Sequence, residues 1–259
     1  MTATATTSGG HEHVGSRWRP GRRRPGAILQ GLGITVGLVA MVAGFALLAF
    51  QYRPYSVPTN SMQPTINPGQ TVLAHPVKPA DIGRGDVVVF NDPQWEGSDI
   101  VKRVVGIGGD TVACCDSSGR ITVNGHPVTE PYTEQPGSFG SGLFAQAKFS
   151  AVVPQGRLFL LGDNRAVSQD SRVHLMLDDG TVAASQVVAR VEGTVWPLGA
   201  AGTIPRTDAF DALPGRDASV HGPLAAEAYT TIGGAALVLL TAALGTVGGL
   251  VRRLRGHRE

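Results

Sequence analysis

Two long apolar segments constrain this chain more than any other feature of its sequence. The first runs from Ile28 to Phe50 and the second from Ile232 to Val251, lengths of 23 and 20 residues, and neither contains a charged side chain. A helix of about 20 apolar residues spans the hydrocarbon core of a bilayer. The sequence therefore predicts two transmembrane helices.

Each apolar segment also has a simpler interpretation. The first could begin a cleavable signal peptide, but its apolar run is unusually long, and the sequence Gln51-Tyr52-Arg53-Pro54 that follows offers no small-x-small cleavage site. The second has the composition of a buried core helix, but Arg252 and Arg253 follow it directly, which is typical of a membrane span. We therefore favour an uncleaved signal anchor and a second span.

Arginine clusters lie on the outer sequence flank of each apolar segment. Five Arg occur within 17–24 and four within 252–258, whereas the residues between the two segments are slightly acidic overall. Because positive residues stay on the cytoplasmic side, this pattern predicts a multi-pass plasma-membrane protein with both termini in the cytoplasm. A nucleic-acid-binding domain would carry its positive charge in the folded body, so no nucleic-acid partner is expected.

The residues between the two membrane segments predict a β-rich domain. Short apolar or alternating runs recur there, and turn residues separate them. No long stretch has the 3.6-residue period of an amphipathic helix. The predicted organisation is a disordered basic tail (1–26), a first transmembrane helix (27–51), a mostly β extracytoplasmic domain (52–198), a Gly/Ala/Pro-rich tether (199–228), a second transmembrane helix (229–251) and a basic tail (252–259).

Both spans contain a small-xxx-small pattern. Gly33 and Gly37 form it in the first span, and Gly245 and Gly249 form it in the second. Such patterns let two helices approach closely, but glycine is also common in membrane helices in general. Packing of the two spans is therefore one of two open interpretations.

The cysteines and N-terminal histidines are less informative. Cys114 and Cys115 are adjacent, and a strained vicinal disulfide, a bond between molecules and free thiols all fit the sequence. His11 and His13 lie in the predicted tail, where histidines are more often solvated than bound to a metal. Nothing in the sequence predicts a metal or an organic cofactor.

Three segments of the middle domain carry candidate chemistry. The first places Ser61 between Pro58 and Pro64, which restrict the backbone of the loop that displays it. The loop begins soon after Phe50, so Ser61 is expected near the membrane surface.

The second segment is the run 100–106, in which Lys102 shares a strand face with Ile100 and Val104. Burial among apolar side chains lowers the pKa of an ammonium group from its usual value of about 10.4. A neutral lysine beside a serine hydroxyl is a known way to activate a nucleophile without histidine.

The third segment, 162–172, is a dense polar turn that follows the apolar run 158–161. Its donors and acceptors are typical of a hydrogen-bonded shell around a site. Each of the three segments also has an ordinary structural explanation. Ser61 could be a turn residue, Lys102 a surface lysine of a strand, and 162–172 a polar loop without function. Their joint occurrence favours a functional site.

In their order along the chain these segments closely resemble bacterial type I signal peptidases. The resemblance covers most of 55–196, and the matching residues are Ser61-Met62-x-Pro64-Thr65, Gly85-Asp86-Val87-Val88-Val89-Phe90, Lys102-Arg103-x-Val105-Gly106-x-x-Gly109-Asp110 and Gly162-Asp163-Asn164-Arg165-x-x-Ser168-x-Asp170-Ser171-Arg172. The family has a membrane-tethered, mostly β fold. It removes signal peptides from exported preproteins after small residues, typically Ala-x-Ala, by a Ser/Lys dyad.

The resemblance implies a role for each matching residue. Ser61 would be the nucleophile and Lys102 its general base, and Ser168 would orient the lysine amine. The Ser61 N–H and the Thr59 hydroxyl would form the oxyanion hole. The remaining expectations are structural support from Asp163, Asn164, Arg165, Asp170 and Arg172, and small apolar substrate pockets lined by Val57, Ile66 and Val101.

Two positions depart from the family pattern. Gly108 stands where a proline usually precedes Gly-Asp, and the Cys114–Cys115 pair is not a general family feature. The second membrane span and the arginine-rich composition resemble family members from high-GC actinobacteria. Neither departure removes a residue of the expected dyad.

The partners implied by the resemblance are exported preproteins and the lipid bilayer, with no obligate protein partner. Two other interpretations fit parts of the sequence. A self-cleaving repressor shares the Ser/Lys chemistry, but such proteins are soluble and carry a DNA-binding module, which this sequence lacks. A membrane-anchored binding module with an inactive peptidase fold is the remaining alternative, although both dyad residues are present.

Overall fold

The computed structural model describes residues 25–95, 97–133, 148–215 and 222–256. The long helices are α1 (Pro25–Gln51) and α2 (Leu224–Gly256). The strands are β1 (Arg53–Val57), β2 (Gln70–His75), β3 (Val87–Asn91), β4 (Asp99–Ile107), β5 (Thr111–Cys114), β6 (Ile121–Val123), β7 (His126–Pro127), β8 (Phe149–Val152), β9 (Arg157–Leu161), β10 (Thr181–Ala183), β11 (Val187–Trp196) and β12 (Gly202–Thr203). The predicted fold class, a mostly β domain between two apolar helices, is confirmed.

Among the described residues the strands form two antiparallel sheets. The large sheet has the order β1-β2-β11-β3-β4-β9-β10, with β12 also paired to β11, and the small sheet has the order β7-β6-β5-β8. Residues alternate between the faces of a strand. Accordingly, Val87 and Val89 of β3 pack in one apolar cluster, whereas Val88 and Phe90 pack in another. The central strands are therefore buried on both faces.

A third apolar cluster joins the small sheet to the large one. Val112 of β5 and Phe149 of β8 pack with Phe159 and Leu161 of β9, and the rings of Phe149 and Phe159 stack at a centroid distance of 5.5 Å. This cluster fixes the C-terminal end of β9. The polar turn that begins at Gly162 is therefore attached to a rigid strand.

The segment expected to be a tether, 199–228, is in large part folded against the domain. Strand β12 pairs with β11, Ile204 is buried with the core of the large sheet, and Phe210 and Leu213 belong to the cluster between the sheets. A Gly-, Ala- and Pro-rich composition indicated a linker, but these three apolar side chains are enough to hold the segment on the domain. Residues 216–221 lie outside the described part.

The two helices are each long and apolar enough to cross a membrane. The predicted span 27–51 is observed as α1, beginning two residues earlier. Helix α2 extends five residues beyond the predicted span 229–251 at each end, because the Leu-Ala-Ala-Glu-Ala run before it and the arginine-rich run after it favour helix. Most of the predicted N-terminal tail, with His11 and His13, lies outside the described residues, as does 257–259.

The helices pack against each other. A methyl group added at Gly37 would lie 2.8 Å from the carbonyl oxygen of Gly234, and one added at Gly33 would lie 3.5 Å from the Cβ of Thr241. In the second span Gly245 lies against Gln30, whereas Gly249 has open space. The two helices therefore pack together, and of the second small-xxx-small pattern only Gly245 lies at the contact.

Polar contacts join the helix ends to the β domain and to each other. The Tyr52 hydroxyl, directly after α1, donates to Glu192 of β11 at 2.8 Å, and the Gln51 side-chain amide donates to Glu227 of α2 at 2.7 Å. Burial raises the pKa of Tyr52 well above its usual value of 10.0, and the Glu192 and Glu227 charges add to that effect. The phenol therefore stays protonated and donates this bond at physiological pH.

The redox state of the cysteines, which the sequence left open, is a disulfide. Cys114 and Cys115 are bonded to each other at the end of β5, and Cys114 packs in the cluster between the sheets.

Candidate active site

The loop that follows β1 presents Ser61. Met62 and Ile66 on the same loop are fully buried in the core of the large sheet, and they anchor the loop on both sides of its exposed turn. Ser61 itself is 8% exposed. Its carbonyl oxygen accepts a hydrogen bond from the Asn164 N–H at 3.0 Å. The backbone at Ser61 and directly after it is therefore held in place.

Strand β4 carries Lys102 into contact with this loop. Lys102 lies opposite Val88 in the antiparallel register with β3 and is 4% exposed. Its Nζ donates to Ser61 Oγ at 2.9 Å and to the Val101 carbonyl at 3.2 Å. Because β4 is a central strand held between β3 and β9, the amine approaches the hydroxyl from a rigid base. The structure thus brings the two expected dyad residues together.

The expected oxyanion-hole residue Thr59 lies on the same loop. Its hydroxyl oxygen lies 3.2 Å from Ser61 Oγ, with either oxygen able to donate. A hydroxyl at this distance borders the position where a carbonyl attacked by Ser61 would sit. The structure brings Thr59, Ser61 and Lys102 to one point.

The polar turn after β9 lies directly behind the nucleophile loop. Since Leu161 at the end of β9 pairs with Arg103, the residue after Lys102, the turn starts beside the dyad. Gly162 packs so closely that an added methyl group would lie 2.5 Å from the Ser61 carbonyl oxygen. The turn is therefore the surface on which the Ser61 backbone rests.

Buried ion pairs hold this turn in place. Asp163 accepts two hydrogen bonds from Arg103 at 2.8 and 2.7 Å and one from the Thr65 hydroxyl at 2.5 Å. Asp170 accepts from the Gly162 N–H at 3.0 Å and pairs with Arg172 at 2.8 Å. The five residues expected to give structural support are all buried: Asp163, Asn164, Arg165, Asp170 and Arg172.

The ionisation of Asp170 follows from these contacts. Burial, the largest single effect, raises the pKa of its carboxyl group, but the charge of Arg172 and the hydrogen bonds from Arg172 and Gly162 together outweigh it. The net result is a pKa below the usual 3.8. The Asp170–Arg172 pair is therefore fully charged at neutral pH.

Ser168 is fully buried against Gly162, but it does not make the expected hydrogen bond to Lys102. Within the described part of the chain no atom lies in hydrogen-bonding geometry to its Oγ. The bond to Lys102 that the resemblance implies is therefore not formed. The role of Ser168 as a lysine-orienting residue stays a prediction.

A cleft of about 300 Å³ opens over Ser61. Its walls are the segment 56–61, the segment 98–102, and the side chains of Val167 and Gln169. Two of the expected pocket residues, Val57 and Val101, line it. The third, Ile66, is fully buried in the core next to Met62 and supports the floor from behind.

Sequence reasoning missed two residues next to the turn. Glu130 forms two hydrogen bonds of 2.6 Å with the Arg165 guanidinium, and the Tyr132 ring lies 4.0 Å from the Arg103 guanidinium carbon. The sequence signal was weak, since an acidic and an aromatic residue between short strands resemble ordinary loop residues. No cluster of three His, Cys, Asp or Glu that could hold a metal ion occurs among the described residues.

The family model and the curated relatives that match this chain are all signal peptidases. Residues 30–196 match the protein family described as "Signal peptidase, peptidase S26". A signal peptidase I from Mycobacterium tuberculosis is 31% identical over 209 residues, which cover 62% of this chain and 71% of that protein. A signal peptidase IB from Staphylococcus aureus is 35% identical over 174 residues, which cover 62% of this chain and 86% of that protein. A crystal structure of a signal peptidase I from Enterococcus faecalis V583 matches with 28% identity and a TM-score of 0.30, over 41% of this chain and 93% of that chain.

Proposed function

This chain belongs to the signal peptidase family, peptidase S26, and is a serine peptidase, and from that premise we propose that it removes N-terminal signal peptides from exported preproteins. We further propose a Ser/Lys dyad mechanism and cleavage after small residues of the Ala-x-Ala type. The observation that carries the proposal is the 2.9 Å contact between Lys102 Nζ and Ser61 Oγ at the floor of a cleft.

Ser61 is the proposed nucleophile and Lys102 the proposed general base. As Ser61 Oγ attacks the scissile carbonyl carbon, the neutral amine of Lys102 takes the hydroxyl proton. The C–N bond then breaks, Lys102 returns the proton to the leaving amine, and an ester to Ser61 remains. A water molecule gives a proton to Lys102 and attacks the ester carbon, the ester C–O bond to Ser61 breaks, and Lys102 returns the proton to Ser61 Oγ as the product carboxylate leaves. The burial of Lys102 supports this role, because removal from water disfavours the charged form of an amine.

The oxyanion of each tetrahedral intermediate needs hydrogen-bond donors. We assign this role to the Ser61 N–H and the Thr59 hydroxyl, which lies 3.2 Å from Ser61 Oγ. Such donors lower the barrier because they are already aimed where negative charge develops. The buried turn behind Ser61 supports the assignment, since a donor on a mobile loop would have to be ordered during the reaction.

The size of the cleft supports selection for small side chains. Val57 and Val101 both line the cleft, and branched apolar residues leave room for a methyl group but overlap with larger groups. An extended peptide between the two walls would place alternate side chains in the cleft. This accounts for a preference for Ala at two positions separated by one residue.

We propose that the protein is anchored in the plasma membrane by α1 and α2. Both termini would be cytoplasmic, and the β domain would lie on the outer side next to the lipid surface, since β1 begins two residues after α1 ends. The expected partners remain exported preproteins and the bilayer. No metal or organic cofactor enters the proposed chemistry.

Cleavage of a purified preprotein tests the proposal. The full chain in detergent micelles is incubated with a preprotein whose signal peptide ends in Ala-x-Ala, and the new N-terminus is located by mass spectrometry. We expect one cut after the second Ala, loss of cleavage in Ser61→Ala and Lys102→Met, and loss when that Ala is replaced by Phe. The matched control is Lys78→Met, which removes an exposed lysine. Undiminished cleavage by Ser61→Ala would refute the mechanism, and no cleavage by the wild type would indicate a non-catalytic module.

A further inference from the structure

A short strap behind the candidate active site, residues 130–132, follows β7 and has no role in the proposed mechanism. Glu130 is 6% exposed although it carries a charge. It forms a two-point ion pair with Arg165, with both N–O distances 2.6 Å. A buried charge is tolerated only where its partners are close and well oriented. The strap is therefore tightly bound to the turn that begins at Gly162.

Arg165 also forms a hydrogen bond to the backbone of the turn. Its Nε donates to the Gly162 carbonyl at 2.9 Å, and Arg165 is 4% exposed. Burial, the largest single effect, lowers the pKa of its guanidinium, but the charge and hydrogen bonds of Glu130, together with the nearby Tyr132 and Asp163, outweigh it, and the pKa is raised. The Arg165 guanidinium therefore stays charged beside Glu130, and their two hydrogen bonds fix one side of the turn.

Tyr132 connects the same strap to the opposite side of the turn. Its hydroxyl donates to Glu130 Oε1 at 2.6 Å, and its ring stacks against the Arg103 guanidinium, which in turn holds Asp163. Burial raises the pKa of the Tyr132 phenol well above 10.0, with the Glu130 charge adding to this. The phenol therefore keeps the proton that it donates.

The turn held in this way touches the nucleophile at two points. The Asn164 N–H donates to the Ser61 carbonyl at 3.0 Å, and Gly162 lies against the same carbonyl with no room for a methyl group. A shift of the turn must therefore shift the Ser61 backbone, and with it the contact between Ser61 Oγ and Lys102 Nζ.

We propose that Glu130 is a positioning residue of the active site, which fixes Ser61 through Arg165 and the turn 162–165, with Tyr132 tying it to the Arg103–Asp163 pair. This inference rests on the proposed dyad mechanism. Glu130 lies outside the cleft walls, so its effect is on the geometry of the reacting groups and not on substrate binding. A displacement of about 1 Å at reacting groups costs about 100-fold in rate.

The test separates positioning from stability by measuring rates per folded molecule. Wild type, Glu130→Gln and Tyr132→Phe are compared in full-length form in detergent, at a temperature where circular dichroism shows each to be folded. The control is Asp211→Asn, which removes a two-point carboxylate–guanidinium pair with Arg206 on the surface. The readouts are kcat and KM for preprotein cleavage, and the rate at which a serine-reactive lactam acylates Ser61.

We expect kcat and the acylation rate of Glu130→Gln to fall about 10- to 100-fold, with KM within twofold of wild type and the control unchanged. Tyr132→Phe should show a smaller fall in kcat and in the acylation rate. If Glu130→Gln does not fold, these two rates of Tyr132→Phe test the positioning role. A lowered unfolding temperature with unchanged rates per folded molecule, or a raised KM with unchanged kcat, would overturn the positioning role. Failure of the wild type to acylate at Ser61 would instead overturn the dyad mechanism, and this inference with it.

Discussion

Lys102 and Ser61 are 41 residues apart in the chain, and the Nζ of one lies 2.9 Å from the Oγ of the other. Neither side chain reaches this position from a flexible segment. Lys102 extends from a central strand of the large sheet, and Ser61 lies on a loop anchored by the buried Met62. The fold therefore holds the contact before any substrate binds, which is the condition for efficient proton transfer.

Gly162 is predicted to tolerate no side chain. In Gly162→Ala the new methyl group would lie 2.5 Å from the Ser61 carbonyl oxygen and from the Ser168 Cβ, so we expect a loss of about 1–3 kcal/mol in the free energy of unfolding from overpacking. Urea denaturation measures this, and preprotein cleavage should fall in parallel. Gly199→Ala is the matched control, because nothing lies within 4 Å of the added group. Equal effects at the two glycines would contradict the close packing.

Thr59 is predicted to stabilise the transition state through its hydroxyl. Thr59→Val keeps the shape of the side chain and removes the donor, and we expect kcat for preprotein cleavage to fall about 100- to 1,000-fold, as for other oxyanion-hole donors. Thr59→Ser should retain most of the activity, since it keeps the hydroxyl. If Thr59→Val has the wild-type kcat, the oxyanion hole is formed by other groups.

The Asp170–Arg172 pair is predicted to be essential for stability. Asp170→Asn leaves the guanidinium of Arg172, whose side chain is 3% exposed, without its anionic partner, and breaking one side of a buried pair costs about 3–5 kcal/mol. The midpoint of urea denaturation at neutral pH measures this cost. An exposed pair makes the control, and Asp178→Asn, which breaks the pair with Arg157, should cost less than about 1 kcal/mol. The two variants having similar midpoints would contradict this account.

Stability is predicted to fall in acid. Burial, the largest single effect, raises the pKa values of Asp110 and Asp170, but their arginine partners and the other hydrogen bonds that they accept together outweigh it, so both values are lowered in the folded protein. The unfolded chain, with carboxyl pKa values of about 3.9, therefore binds protons first as the pH falls. We expect a constant free energy of unfolding above about pH 5 and a steep loss below about pH 4. Asp110→Asn should show a shallower loss between pH 4 and pH 2, and an identical slope would contradict the lowered pKa of Asp110.

The helix pairing is predicted to be visible by cross-linking in membranes. An added Cβ at Gly33 lies 3.5 Å from the Cβ of Thr241, within the range of a disulfide. Oxidation of Gly33→Cys/Thr241→Cys should therefore close a disulfide between α1 and α2, which proteolysis between the helices and gel electrophoresis will detect. Gly31→Cys/Thr241→Cys is the control, since nothing lies within 4 Å of Gly31. Equal yields from both pairs would show that the helices do not pack in this way.

The sequence predicted the dyad contact and the fold class because both are local or motif-based signals. Ser61 and Lys102 belong to ordered boxes of matching residues, and the alternation along β3 is visible as an apolar run. The contact of Ser168 with Lys102 was also expected, but it depends on a rotamer that no motif determines. Among the described residues the buried Ser168 hydroxyl has no hydrogen-bond partner.

Other features depend on distant contacts, which composition does not record. Phe210 and Leu213 fasten the supposed tether to the domain, although their neighbours are typical of a linker. In the sequence Glu130 resembles a loop residue, because its ion-pair partner Arg165 is 35 residues away in the chain. The pairing of Gly37 with Gly234 required the relative rotation of two helices, which a small-xxx-small pattern in each span does not specify.

The central claim is that Lys102 activates Ser61, and acylation of Ser61 measures this most directly. The full chain in detergent is treated with a serine-reactive lactam, digested and analysed by mass spectrometry. We predict a single adduct on the peptide that contains Ser61, formed at least about 100-fold more slowly in Lys102→Met and at the wild-type rate in Lys78→Met. An adduct that forms equally fast without Lys102, or one on a different serine, would contradict the account.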